Sequence, residues 1–199
     1  MSTQPYHHGN LRAALVDTAV ELARAAGPDA VVLREVARRA GVSHSAAYRH
    51  FSDRAALLNE VAAVAMMQLE TAMRERMAGI GVSDPAAGAV ARLRETGRSY
   101  VEFAVREPGL FTVAFDCLGE DLPDGGDPYG LLNDVLDDLV RTGAMPAARR
   151  EGADMACWSL VHGYAVLHVH GPLQELPDAE RDRTLDQVLD LIEAGLTRP

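Results

Sequence analysis

The stretch from Leu33 to Arg54 reads LREVARRAGVSHSAAYRHFSDR and leaves little choice of local architecture. Leu33, Val36, Ala37 and Ala40 recur at helical spacing and can face inward from one short helix, while Val42, Ala47 and Phe51 can meet them from a second. Between them stands Gly41, where the chain must bend sharply, often at positive φ, which glycine adopts without cost. Ser43 can cap the second helix by accepting from an orphan backbone N–H. Left facing outward are Ser43, His44, Ser45, Ala46, Tyr48, Arg49 and His50. Short polar groups fit close to base edges, and Tyr, His and Arg can donate to phosphates. Two short helices, a tight turn and such a second helix make a helix-turn-helix with a DNA-reading face. Taken alone, Tyr48 could equally be a half-buried aromatic.

Gly41-Val42-Ser43, then Tyr48-Arg49-His50-Phe51, Arg54 and Leu57-Leu58, resembles the DNA-binding end of TetR-family transcriptional regulators in residue type, order and spacing. The resemblance extends upstream to Leu11–Ala26, with a Tyr6-His7-His8-Gly9-Asn10-Leu11 lead-in seen in one branch. Trp158-Ser159-Leu160-Val161-His162-Gly163 is similar to the Trp-His-Gly signature of one type of TetR C-terminal domain, in which a turn like Pro108-Gly109-Leu110-Phe111 is also expected. The resemblance implies that Tyr48 and His50 touch phosphates, that Arg54 takes a position where Lys is common, and that Ser43, His44, Ser45 and Ala46 approach base edges. It also implies a cavity among helices four to eight. Met66, Leu69, Met73, Tyr100, Phe103, Phe111, Phe115, Trp158 and His162 are its candidate liners, suited to an apolar or aromatic small-molecule effector. The same residues could simply be core. One departure is Val32, where a Ser or Thr cap for the second helix is usual; its loss should cost about 1 kcal/mol locally.

No strand pattern occurs, so the expectation is an all-α chain of about nine helices. Residues 1–55 would form the DNA-binding domain and residues 56–199 a helical ligand-binding and dimerisation domain. Gly27-Pro28 stops the first helix, Ser52-Asp53 opens the fourth, Pro85 the fifth, Pro108 the sixth and Asp127-Pro128 the seventh. The eighth is expected from Pro146 to His170 and the ninth from Asp178 to Leu196. Gly119 to Asp127, with Pro123 and Gly125-Gly126 among acids, reads as a loop prone to disorder. The eighth helix is apolar nearly all round, which calls for cover on two sides. With the ninth it offers Leu160, Tyr164, Leu167, Leu185, Val188, Leu189 and Ile192 for a four-helix interface with a second copy. A large monomeric core would show the same pattern.

Net charge is −10, at first sight wrong for a DNA partner, but the charge is unevenly placed. Residues 1–60 hold seven Arg against six acids, a net of +1, and residues 61–199 hold twelve Arg against twenty-three acids, a net of −11. A reader at one end and a sensor at the other fits this polarity. Every cation is Arg, since the chain has no Lys. Cys117 and Cys157 sit in apolar settings and read as buried thiols. His162, His168 and His170 lack the i, i+3 or i, i+4 spacing of a helical chelate, so neither metal nor cofactor is expected. No nucleophile–base arrangement or phosphate loop suggests an enzyme. With no signal peptide pattern and no apolar run of roughly 18 residues, a cytoplasmic setting without a membrane partner is expected. The sequence therefore points to a homodimeric regulator on a pseudo-palindromic operator, most simply a repressor. The rival reading keeps the fold as a small-molecule or protein-interaction module that reads no DNA site.

Overall fold

A computed structural model describes residues 11–116 and 125–198. Among them are nine α-helices, two single 3-10 turns and no strand. The helices are α1 (Leu11–Ala26), α2 (Leu33–Arg39), α3 (His44–Tyr48), α4 (Arg54–Ala78), α5 (Pro85–Arg106), α6 (Pro108–Asp116), α7 (Pro128–Arg141), α8 (Ala153–Val169) and α9 (Asp178–Thr197). Most of the expected loop at 119–127 lies outside the described residues, as does Cys117.

The chain forms two compact units, the first from residues 11–65 with 107–116 and the second from 66–106 with 126–198. The first half of α4 belongs to one and the second half to the other. In the first unit α6 packs on α1. A Cβ built on Gly109 would lie 2.0 Å from the Ala23 carbonyl oxygen, so α6 meets the end of α1 with no room for a side chain. Arg24 Nε donates to Glu107 at 2.6 Å beside that contact.

In the first unit α1 buries Leu15, Ala19 and Leu22, the stripe expected from the sequence, together with Val16, Val20 and Ala23. It ends at Gly27, whose φ of 74° closes the helix through a bond from its N–H to the Ala23 carbonyl. Leu57, Leu58 and Val61 of α4 and Leu110 and Phe111 of α6 complete the buried set. In the second unit α5 packs on α7, α8 and α9. Asp127 caps α7 by accepting from Gly130 N–H at 2.6 Å, and Pro128 supplies a first residue with preset φ. α8 begins at Ala153, not at Pro146 as expected. Residues 147–149 form a 3-10 turn, and Gly152 at φ 75° redirects the chain before the helix starts. Among the described residues no helix is long and apolar enough to cross a membrane.

Candidate functional site

The reading element is built from the turn upward. Gly41 has φ 70°, and the next N–H, that of Val42, returns to the Ala37 carbonyl at 3.0 Å, which locks α2 to the turn. Ser43 then caps α3, its Oγ accepting from Ala46 N–H at 3.2 Å. Val32 provides no side-chain cap for α2, as its residue type requires. Ala47 and Phe51 are buried, which turns the rest of α3 outward. Ser43, His44, Ser45, Tyr48, Arg49 and His50 are all exposed and Ala46 is partly so. Tyr48 keeps 47 % of its surface exposed and meets His44 edge-on, with ring centroids 4.6 Å apart.

Two of these residues have other work as well. Ser43 Oγ lies 3.1 Å from Ser45 Oγ besides capping the helix. Arg54 is bound into its own unit: Nε donates to the Val31 carbonyl at 2.9 Å and an Nη to the Pro28 carbonyl at 2.7 Å. The expected phosphate ligand is thus a clasp joining the start of α4 to the turn before α2. Sequence reasoning passed over Arg34, Arg38 and Arg39, all exposed on α2. The last two grip Glu35 and hold its carboxyl down to about 2, far below the usual range. Their crowding next to the turn was the available signal.

In the second unit α5 and α8 bring together an aromatic, partly polar cluster. The Tyr100 hydroxyl and His162 Nδ1 are 2.7 Å apart. Trp158 stands edge-on to His162 and to Tyr129, with centroids 6.1 Å and 5.5 Å away. Tyr129 in turn donates to Asp154. Burial pushes the Tyr100 phenol well above its ordinary range. Leu69 and Met73 of α4 are buried, Phe103 of α5 is buried and Met66 is half-buried. Phe111 and Phe115 pack on each other at 4.8 Å in the first unit. Thr96 and Ser99, two buried hydroxyls on α5 next to Tyr100, were not among the expected liners. Among the described residues no group of His, Cys, Asp and Glu is arranged to hold a metal.

The residues expected at an interface divide into two sets. Leu185, Leu189 and Ile192 of α9 are buried inside their own unit, and Tyr164 is buried with its hydroxyl donating to the Arg181 carbonyl at 2.7 Å. Their inward placement corrects the expectation that they face a partner. Leu160 and Leu167 remain 49 % and 43 % exposed on α8, beside exposed Ala156, Ser159 and Gly163. On α9 the outward apolar residue is Leu191, 70 % exposed, one turn from half-buried Val188.

Comparison with known proteins agrees with this geometry. The family model for bacterial regulatory proteins of the tetR family matches residues 15–61, and that for the tetracyclin repressor-like C-terminal domain matches residues 93–192. No curated protein matches. A Rhodococcus sp. RHA1 protein of unknown function has a solved structure with 27 % identity, covering 98 % of this chain and 100 % of its own, at a TM-score of 0.78. A variant of TetR from Acinetobacter baumannii AYE, in complex with minocycline, shares 18 % identity over 96 % of each chain, at a TM-score of 0.62. Apo ActR from Streptomyces coelicolor shares 21 % identity over 98 % of this chain and 97 % of its own, at a TM-score of 0.62.

Proposed function

The chain belongs to the TetR family of transcription regulators, and from that premise we propose that it is a homodimeric repressor whose hold on a pseudo-palindromic operator is released by a small apolar or aromatic molecule. It is a regulator and not an enzyme. The observation that carries the proposal is the outward face of α3, where Ser43, His44, Tyr48, Arg49 and His50 are exposed on a helix pinned by buried Ala47 and Phe51. Ser45, His44 and Ala46 take the base-edge positions. Tyr48, Arg49 and His50 take phosphates, and Arg54 reaches one only with the guanidinium nitrogen that its clasp leaves over.

Two copies are required, because one five-residue helix touches too few base pairs to specify a site. In a dimer the two α3 helices enter successive major grooves about 34 Å apart or slightly more. The exposed apolar residues of α8 and α9 supply the symmetric contact, through Leu160, Leu167, Val188 and Leu191. The effector enters the second unit at Tyr100, Trp158 and His162, with Met66, Leu69, Met73 and Phe103 as its apolar surround. Effector binding favours one of two arrangements, and only differential affinity for them moves the equilibrium. Action on chromosomal DNA places the protein in the cytoplasm.

Selection of random duplex DNA on the purified protein at about 150 mM salt tests this reading, because non-specific binding is weak there. The expected product is an inverted repeat with half-sites near one helical turn apart. Recovery of no motif by a folded dimer would favour a fold that has kept its sensor and lost its operator.

A further inference from the structure

The helical threonines share one habit. Thr18, Thr71, Thr96, Thr112, Thr142, Thr184 and Thr197 each donate to the carbonyl four residues back, at 2.7–2.9 Å. Ser99, in the middle of α5, breaks it. The residue is only 2 % exposed, and its Oγ has no hydrogen-bond partner among the described residues. A buried hydroxyl left in this state is destabilising, and the rotation that its threonine counterparts make would relieve it.

Its position on α5 follows from the neighbours. Glu95 and Glu102 face Arg76 of α4 at 3.3 Å and 2.6 Å, and Thr96 meets Met77 of α4 at 3.5 Å. At about 100° per residue, Ser99 lies between these two edges, turned toward α4. Tyr100 comes one step further round, against His162 of α8. Thr96 and Phe103 occupy the arc between Ser99 and Tyr100. The arginines on this side of α5 have carboxylates against them, Arg76 with Glu95 and Glu102 and Arg92 with Asp138, although Arg76 Nε makes no hydrogen bond of its own. An anion would find its countercharges already taken, and burying it would be costly. A neutral ring compound finds aromatic and thioether surface, and a hydroxyl or carbonyl on the ring finds the Ser99 hydroxyl without a partner.

We propose that the effector is a neutral ring compound bearing a hydroxyl or carbonyl group, and that Ser99 Oγ makes the hydrogen bond that holds this group. The inference rests on reading the second unit as the sensor. Ser99 can donate to a carbonyl or exchange a bond with a hydroxyl, while Tyr100 and His162 keep the shape of the α5–α8 wall.

Calorimetric titration of the full chain with 2-naphthol, naphthalene and 2-naphthoate at neutral pH tests the proposal. The expected order is 2-naphthol about fivefold or more tighter than naphthalene, with 2-naphthoate weakest. In Ser99→Ala the 2-naphthol advantage should vanish and naphthalene affinity should stay. The thermal midpoint of this variant should hold or rise, because an unpaired hydroxyl has been removed. A lowered midpoint with unchanged 2-naphthol affinity would make Ser99 structural and overturn the assignment. Tighter binding of 2-naphthoate, or no binding of any probe, would overturn the ligand class. Operator release is read separately: Ser99-dependent binding that leaves DNA affinity intact would sink the regulatory reading and leave the site standing.

Discussion

At the start of α4 the Arg54 guanidinium donates to the carbonyls of Pro28 and Val31, so its first role is to fix the turn that delivers α2 to the reading position. Arg54→Ala should therefore cost about 1 kcal/mol of stability, a figure already reduced for partial exposure, visible as a lower unfolding midpoint before any DNA is added. Arg49, by contrast, is exposed on the outward side of the reading element. Arg49→Ala should weaken binding to all duplexes and lower the slope of log K against log salt by about 0.9. An unchanged slope would remove Arg49 from the phosphate contacts. Cys157 belongs to the interior: burial pushes its thiol up to about 11. With its folded value raised, its contribution to stability is full below the ordinary thiol range and is lost as pH rises through about 11. Cys157 in the native protein should resist alkylation at neutral pH, and rapid labelling at this position, read by peptide mass, would contradict its burial.

Between helices, the tightest fit is that of α6 on α1. The would-be Cβ of Gly109 meets backbone, the Ala23 carbonyl, which cannot swing aside as a side-chain end could. Gly109→Ala should thus destabilise the first unit by about 2 kcal/mol or more, and chemical denaturation followed by circular dichroism would measure it. Gly97 offers a contrast, because its would-be Cβ meets the mobile end of Leu189 at 2.7 Å. A cost for Gly97→Ala well below that for Gly109→Ala is expected. The Pro108-Gly109 pair reads in sequence as a turn and a helix start, but its glycine is required by an element some 85 residues earlier.

For the whole molecule the two sides of α9 make opposite predictions. Leu191→Glu adds a charge to an exposed apolar face and should give folded monomers with much weakened operator binding. Leu189→Glu places a charge in the core of the second unit and should unfold it instead. Sedimentation with circular dichroism separates the two results. A Leu191→Glu protein that still sediments as a dimer would move the interface elsewhere. The uneven charge belongs to this scale too: the first sixty residues are +1 and the rest −11, so the excess that repels phosphate lies in the stretch that holds α5 to α9.

Helix type and order, the Gly41 turn, the Ser43 cap and the outward set on α3 were all legible in the sequence, because each depends on residues within a turn or two of one another. The same holds for the buried stripe of α1, whose spacing alone decides which side is apolar. What depends on a distant partner was not legible. The sequence marks α9 as apolar on a wide arc, and only packing on α5 and α8 decides that Leu185, Leu189 and Ile192 turn inward while Leu191 stays outside. It offers Phe111 and Phe115 as aromatics, and only the backbone contact of Gly109 with Ala23 assigns them to the first unit. The free hydroxyl of Ser99 is the clearest case. A serine in a helix is ordinarily self-satisfied through the carbonyl four residues back, so its unmet hydrogen bond exists only in the folded arrangement of α4 and α5.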